Sequence, residues 1–313
     1  PSLRARLANL AARVLVKRVT NAASFDLARV RRAMASRLTM PAALPRGLRV
    51  EASHEPGLPG EWLYPRDAFD GVALLFIHGG GFIAGSPRTH RSFAGWVANE
   101  SRVPVFSLSY RLAPEHPYPA ALDDCVAAVR ALRARGLRVA VGGDSAGGQL
   151  AIATALRLRE AAEEQPAGLM LVCPMTDFTD ASESLRTNAE SEPLLGLRHR
   201  EHALGLYAGA TSRRDPLLSP VYADLRGLAP MIVEASRIEV LWDDARRFVE
   251  AAQAAGVAVE FHPHDGLAHD WQLMVPFTPE ANASVRRLAA WVSARLASMR
   301  KRVRFGRGDA RPR

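Results

Sequence analysis

Residues 137–163 read LRVAVGGDSAGGQLAIATALRLREAAE, and this stretch decides the fold. The apolar run Leu137–Val141 predicts a strand, and Gln149–Glu163 has the pattern of a helix. Between them, Gly143–Gly147 matches the GxSxG pattern of a sharp strand-to-helix turn that exposes a serine hydroxyl. The glycines let the backbone crowd at this turn without Cβ clashes. Ser145 is therefore the predicted nucleophile.

From residue 72 onward, short apolar runs alternate with longer amphipathic ones, which is typical of a parallel sheet with crossover helices. We expect a doubly wound α/β sheet, with antiparallel strands around Trp62 at one edge. The predicted strands are Val72–Ile77, Val103–Ser109, Leu137–Val141, Gly168–Cys173, Met231–Ala235 and Val257–His262. The predicted helices are Thr89–Ser101, Ala120–Arg135, Gln149–Glu163, Leu241–Ala255 and Pro279–Met299.

Two stretches interrupt this alternation. Residues 1–45 have helical leucine spacing, and residues 176–225 are rich in Glu, Ser, Pro and Gly before turning helical. We expect both to form a helical cap over the carboxyl ends of the strands, where open α/β sheets bind ligands. The catalytic core then comprises residues 46–175 and 226–300. Simple core packing and a membrane-surface helix are the alternatives for the first segment, and its dispersed arginines weaken the second.

The chain has 313 residues, of which 48% are hydrophobic, enough for one large α/β domain or two ordinary ones. No window approaches the roughly 18 apolar residues of a membrane span, so we expect no stable membrane insertion. Arginines interrupt the N-terminal segment throughout, unlike a secretory signal. A cytoplasmic protein is the expectation. Cys125 and Cys173 lie in apolar contexts and are predicted to be small buried side chains without a disulfide.

The net charge of +9 is concentrated at the two ends of the chain. Residues 1–49 carry 11 basic and 1 acidic residues, residues 301–313 carry 6 and 1, and the 251 residues between them sum to −6. The central 251 residues are mildly acidic and contain no motif that recognises nucleic-acid bases, which argues against a nucleic-acid partner. We expect residues 301–313 to be a disordered basic tail.

A second glycine-rich motif, His78–Phe82, follows the first strong predicted strand. Consecutive glycines free the backbone to aim N–H groups at the negative oxygen of a tetrahedral intermediate. Gly80 and Gly81 are predicted to supply two such donors, and the N–H of Ala146 a third. A lone glycine run is more often a flexible turn, but pairing with the serine motif favours an oxyanion hole. His78 is expected to orient the loop by hydrogen bonding and not to act as a proton shuttle.

The segment between these motifs, residues 110–124, reads YRLAPEHPYPAALDD. With HGGG (which includes Gly79) and GDSAGG, it resembles the bacterial hormone-sensitive-lipase-like family of α/β-hydrolase esterases over about residues 50–295. The resemblance implies an α/β-hydrolase fold: a mostly parallel sheet flanked by helices, with a helical cap. It also implies hydrolysis of short to medium acyl esters. Asp144 is expected to be structural, bonding around the serine turn or toward Arg111.

The serine needs a histidine base, and that base needs an acid to fix its tautomer. In this fold the chain order is nucleophile, acid, histidine. His269 follows the last predicted strand and matches the histidine loop of the family. Family members commonly carry Asp-Pro-Leu at the acid position, but this chain reads Glu239-Val240-Leu241. We predict Glu239 as the acid rather than Asp243, which together with Asp244 fits the first turn of the following helix.

His262 and His264 lie near His269, but no Cys or Asp spacing supports a metal site there, and neither a metal nor a cofactor is expected. The expected partner is a small-molecule ester, and a homodimer is possible. A lactone hydrolase, an N-acyl or amide deacylase, a lipase and a non-catalytic ligand-binding protein are the alternatives. Apolar side chains that are candidates to line the substrate site, with ordinary cap packing as the favoured alternative for any single one, are Met175, Phe178, Leu194, Leu195, Leu204, Leu206 and Tyr207.

Overall fold

The computed structural model describes residues 1–22, 24–36 and 43–296 of the chain. Eight strands form one sheet in the order β1-β2-β4-β3-β5-β6-β7-β8. In chain order, β1 to β8 cover Arg49–Ala52, Gly60–Tyr64, Val72–Ile77, Val105–Leu108, Arg138–Asp144, Leu169–Val172, Met231–Ser236 and Val259–His264. Each of the six strands predicted from residue 72 onward is confirmed, with both ends of Val72–Ile77 correct and the ends of the other five within three residues.

The sheet is parallel from β4 to β8, and only β1 and β2 pair antiparallel with their neighbours. Trp62 lies in β2, so the predicted antiparallel edge is confirmed. All six residues of the central strand β3 are buried. Leu75 and Ile77 join the core on one face of the sheet, whereas Leu74 and Phe76 join the core on the other. This burial on both faces explains why the strand is a continuous apolar run.

Helices pack on both faces of this sheet, which confirms the predicted α/β-hydrolase architecture. The predicted helix Pro279–Met299 is described as far as Leu296, and its last three residues lie outside the described chain, as does the predicted tail 301–313. Helices α1 to α10 cover Leu3–Leu15, Lys17–Thr20, Leu27–Ala35, Pro87–Ser101, Ala120–Ala134, Ala146–Glu160, Ser184–Thr187, Leu197–Ala208, Trp242–Ala254 and Pro279–Leu296.

The N-terminal helices and the 176–225 insertion contact each other. Thr20 Oγ1 donates to Leu194 O at 2.8 Å and accepts from the N–H of Gly196 at 3.1 Å. Lys17 Nζ donates to the carbonyl oxygen of Ala189 at 2.8 Å. Within the described chain, no helix is both long and apolar enough to cross a membrane. Cys125 and Cys173 are buried and unbonded to each other, as predicted.

The predicted motifs gather at one edge of the sheet. Parallel strands end at the same edge, so the segments that follow β3, β5, β7 and β8 meet there. The glycine loop follows β3, Ser145 follows β5, Glu239 follows β7, and His269 lies in the loop after β8.

Candidate active site

Ser145 occupies a strained turn between β5, which ends at Asp144, and α6, which begins at Ala146. Its φ of +52° is in the left-handed region that side chains other than glycine rarely adopt. A Cβ at Gly147 would lie 1.9 Å from the carbonyl oxygen of Ile77, so this turn requires glycine there. This sharp turn ends the strand and exposes the Ser145 hydroxyl at the edge of the sheet where the other motifs meet.

His269 connects Ser145 to Glu239. Its Nε2 lies 2.9 Å from Ser145 Oγ, and its Nδ1 lies 2.5 Å from Glu239 Oε2. Glu239 is fully buried, and its Oε1 accepts the N–H of Ser236 at 2.8 Å. Asn188 from the insertion donates to the Glu239 carbonyl oxygen at 2.9 Å. The glutamate therefore has one oxygen on the backbone and one on the histidine.

The neighbouring acids bond elsewhere. Asp243 and Asp244 are in the first turn of α9, as expected from the sequence. Asp243 accepts the N–H of Ser184 at 2.8 Å and pairs with Arg246 at 3.0 Å. Asp244 accepts the N–H groups of Thr176 and Asp177, both at 3.0 Å. Both carboxylates anchor the start of the insertion, and burial raises the pKa of Asp244 to about 6.

The glycine loop after β3 curls over the serine. Gly80 and Gly81 have φ of +118° and +63°, and both line the same cavity as Ser145. A Cβ at Gly80 would lie 2.3 Å from Ala84 O, so the turn needs glycine. His78 is buried with Nδ1 2.8 Å from Gly79 O, and burial lowers its pKa to about 3. The ring is therefore neutral and belongs to the loop framework.

Asp144 ties this loop to the serine turn. Its Oδ1 accepts the N–H of Gly79 at 3.0 Å, and its Oδ2 lies 3.1 Å from Nε2 of His90. Arg111 pairs with Asp124 at 2.7 Å, so of the two alternatives for Asp144 the structure has the serine turn. His90, on α4, was missed because no motif marks it. The contact between His90 and Asp144 forms only because α4 packs against the sheet.

Comparison with known proteins shows the family to which the chain belongs. Residues 74–273 match a family described as having the alpha/beta hydrolase fold, which is more than half of the chain. This chain is an α/β hydrolase. A solved structure described as an esterase from the bacterial hormone-sensitive lipase family is 35% identical with a TM-score of 0.88, covering 95% of this chain and 99% of that one. The hydrolase thus belongs to the hormone-sensitive-lipase-like group.

Curated relatives agree with this placement. An esterase of Acinetobacter venetianus is 36% identical over 225 residues, which is 71% of this chain and 74% of the relative. An acetyl-hydrolase of Streptomyces hygroscopicus is 36% identical over 235 residues, which is 74% of this chain and 78% of the relative. The hydrolase is therefore an enzyme of the serine hydrolase class, related to enzymes that cleave esters.

An apolar cavity opens onto Ser145 in this hydrolase. The N-terminal segment contributes Val16, Val19 and Met34, and the insertion contributes Leu194 and Leu195. A second cavity lies beneath α1, and both cavities share Val16, Leu194, His269, Asp270 and Leu273. The two segments predicted to form a cap thus supply much of the wall.

Three of the seven candidate lining residues, Met175, Leu194 and Leu195, line the first cavity. Phe178, Leu204, Leu206 and Tyr207 instead pack into the core. Tyr207 stacks on Phe82 with ring centroids 4.0 Å apart, so these side chains support the glycine loop from behind. For these four residues the structure shows the alternative, ordinary packing: Leu204, Leu206 and Tyr207 lie on α8, and Phe178 precedes that helix in the insertion.

Asp270 is a polar residue of the site that sequence reasoning missed. Its Oδ2 lies 3.1 Å from His269 Nε2, and its φ is +53°. Burial raises the pKa of Asp270 to about 6. Burial lowers the pKa of His269, but the Asp270 carboxylate, Cys173 and Glu239 together outweigh burial and raise that pKa well above its usual value. Adjacency to His269 was the only sequence signal.

Glu192 is a second buried acid that the sequence did not mark. Its Oε1 accepts the N–H of Leu194 at 2.7 Å, and Oε2 has no partner among the described residues. Burial raises the pKa of Glu192 to about 7, and the charges of His269 and Glu239 act on it. The insertion therefore brings a titratable group close to the histidine.

One group of side chains could offer ligands to a metal ion. Single atoms of Cys173, His269 and Asp270 lie within 4.8 Å of one another. The same imidazole already contacts Ser145 and Glu239. An ion bound to this histidine would compete with Ser145 or Glu239 for a ring nitrogen, so the donor set does not fit a resident metal beside these contacts.

Proposed function

We propose that this hydrolase cleaves short- to medium-chain carboxylic esters through a Ser145-His269-Glu239 triad and an acyl-enzyme intermediate. The observation that carries the proposal is the unbroken chain of contacts from Ser145 Oγ through both ring nitrogens of His269 to Glu239 Oε2. Cleavage of esters is supported by the named relatives, and the acetyl-hydrolase among them supports a short acyl group.

His269 acts as the general base. Neutral His269 accepts the Ser145 proton at Nε2 while Ser145 Oγ attacks the ester carbonyl carbon. Glu239 accepts the Nδ1 proton, which holds the ring in the required tautomer and stabilises the imidazolium that forms. Glutamate performs this task as aspartate does, because the requirement is an ionised acceptor at the ring nitrogen.

The oxyanion forms beside the glycine loop. Backbone N–H groups of Gly80, Gly81 and Ala146 stabilise the negative oxygen, and Ala146 adds the positive end of the α6 dipole. His78, Gly79 and Asp144 hold this loop in place through the contacts described above. Collapse of the tetrahedral intermediate expels the alcohol, which takes the proton from His269.

Deacylation repeats the sequence with water. His269 removes a proton from water, the hydroxide attacks the acyl carbon, and the acid leaves as Ser145 regains its proton. Every group in this cycle is a residue of the chain, so the mechanism uses no cofactor. In this proposal the helices of residues 1–45 and the 176–225 insertion are a cap that shields the cavity and selects the ester.

Replacing Ser145 by alanine tests the proposal. S145A should lower turnover of p-nitrophenyl butyrate by roughly 10⁴- to 10⁶-fold, since loss of a triad nucleophile has effects of this order. Ser107→Ala is the matched control, because Ser107 Oγ is buried and has no partner among the described residues. S107A should keep its activity. Retained turnover in S145A would disprove the triad.

An assay series separates the alternatives. An equal-length aliphatic ester, lactone and anilide would be supplied to wild-type enzyme under the same conditions. The proposal expects the highest kcat/KM for the ester. A preference for the lactone or anilide would assign the same triad to lactone hydrolysis or deacylation, and binding without Ser145-dependent turnover would indicate a receptor.

A further inference from the structure

Helix α1 exposes an apolar stripe to solvent. Seven large apolar side chains are exposed among the described residues, and five of them lie on α1: Leu3, Leu7, Leu10, Val14 and Leu15. Leu3 is 73% exposed, Leu7 57% and Leu10 58%. Their spacing of four and three residues places Leu3, Leu7, Leu10 and Val14 on one side of the helix. Such a concentration of exposed apolar side chains on one helix marks an interaction surface.

The opposite side of α1 faces the protein. Ala5 is buried, and Ala8, Asn9 and Ala12 line the second cavity, which also contains His269. Asn9 Nδ2 donates to the carbonyl oxygen of Gly266 at 2.9 Å, and Ser2 Oγ donates to Glu280 Oε2 at 2.9 Å. These bonds fix the rotation of α1, so the leucine stripe points away from the body.

Arginines are dispersed through residues 1–45 as a whole, which weakens the case for a membrane-surface helix, but within α1 they border the leucine stripe. Residues 1–22 contain five basic and no acidic residues. Arg6 and Arg13 lie along one side of the stripe and Arg4 along the other, and all three are exposed. A helix with leucines on one face and flanking arginines suits the boundary between headgroups and acyl chains, where the leucines are buried and the arginines reach anionic headgroups.

A second copy of the chain, or its own basic C-terminal segment, complements the leucine stripe and its arginines less well than a lipid surface does. A second copy docked by a two-fold axis would bring the arginines of one α1 near those of the other, with no acidic residue of the helix to pair them. The basic segment 301–313 has the same sign of charge. An anionic lipid surface supplies both an apolar phase and opposite charge.

We propose that α1 docks the enzyme on an anionic lipid–water interface and that the site accepts water-insoluble esters from that phase. The docked stripe lies on the outer face of the same helix whose inner face borders the cavity of His269. An ester drawn from the interface has only the cap to pass before it reaches Ser145. The substrate class named here rests on the proposed esterase function, whereas the docking does not.

Vesicle binding tests the docking. Wild-type enzyme and the variant Leu7→Gln/Leu10→Gln would be floated with vesicles of phosphatidylcholine and phosphatidylglycerol at 1:1, and with phosphatidylcholine alone. The wild type should bind the anionic vesicles, less so at high salt. The double variant should partition at least ten-fold more weakly. Leu44→Gln is the control, because Leu44 is an exposed apolar side chain outside α1.

Separate measurements test the role of the arginines and the proposed substrate class. Arg4→Gln/Arg6→Gln should weaken binding and flatten its salt dependence, whereas Arg226→Gln, at a 79% exposed side chain, should not. L7Q/L10Q should lose at least ten-fold in rate on emulsified tributyrin relative to its rate on soluble p-nitrophenyl butyrate. The soluble ester also verifies that each variant is folded.

Three results would overturn the proposal. They are absence of wild-type binding to anionic vesicles, equal binding by L7Q/L10Q, and a wild-type dimer that L7Q/L10Q makes monomeric without any vesicle binding. The last would assign the stripe to contact between copies. Vesicle binding is also measured with S145A, so a failure of the esterase mechanism is distinguishable from a failure of the docking.

Discussion

Asp270 places a carboxylate oxygen 3.1 Å from Nε2 of His269. The same nitrogen lies 2.9 Å from Ser145 Oγ. A negative charge at this distance stabilises the imidazolium, whereas the base must be neutral to accept the serine proton. The Asp270 carboxylate therefore favours transfer of the serine proton to His269, but it also lowers the fraction of resting enzyme in which His269 is neutral at a given pH.

Asp270→Asn should shift the acid limb of the kcat/KM profile to lower pH. The pKa of His269 is raised, chiefly by Asp270 acting against burial, so activity is lost as pH falls through that raised value. Removing the charge lowers the pKa and extends activity toward acid. The measurement is kcat/KM for p-nitrophenyl butyrate against pH. Asp243→Asn is the control, and an unmoved limb in D270N would contradict the prediction.

Glu239→Ala should reduce kcat by roughly 10³- to 10⁴-fold, because a triad histidine without its acid loses the correct tautomer. Asp243→Ala should leave kcat close to wild type. It should instead lower Tm, since the buried N–H of Ser184 loses its acceptor and Arg246 keeps only Glu250 of its two carboxylate partners. The measurements are steady-state kinetics and thermal unfolding of both variants. The reverse pattern would assign the acid role to Asp243.

Gly80→Ala should reduce kcat by about 10²- to 10³-fold, the usual effect of losing an oxyanion donor. Its new Cβ would meet Ala84 O at 2.3 Å, so the loop must move. Gly227→Ala is the matched control, because Gly227 has φ of +75° and nothing within 4 Å of a Cβ. G227A should cost about 1 to 2 kcal/mol of stability and no activity. Equal kinetic effects would refute the oxyanion assignment.

Val16→Trp should shorten the range of esters that the enzyme accepts. Val16 lines both cavities, so a larger side chain fills space that longer substrates need. We expect kcat/KM for p-nitrophenyl octanoate to fall by about ten-fold more than that for the acetate. Val14→Trp is the control two residues earlier on α1, where Val14 is exposed. A matching loss in V14W would indicate an effect on folding rather than on cavity shape.

The sheet and its crossover helices could be predicted because apolar runs and amphipathic periodicity are local properties. The strand Val72–Ile77 was predicted with both ends correct, since it is apolar at every position and bounded by polar loops. The helix after Ser145 begins at Ala146 rather than at the predicted Gln149. The prediction missed these first residues because Gly147 and Gly148 have low helix propensity. Glycine is nevertheless required at position 147 by its close contact with Ile77 of β3.

The sequence by itself predicted the fold class, the turn at Ser145, the glycine loop and the order of the proposed serine, acid and histidine. Apolar periodicity decides the fold class, steric limits on a few consecutive residues decide the two turns, and the order of the three residues follows from the fold class. Only the tertiary structure decided that Glu239 faces His269 while Asp243 binds Ser184, that Asp270 reaches Nε2, and that the leucines of α1 point outward. Such contacts join residues as far apart as 124 positions, as in Ser145 and His269. They depend on how whole helices and strands pack, which no local pattern of residues specifies.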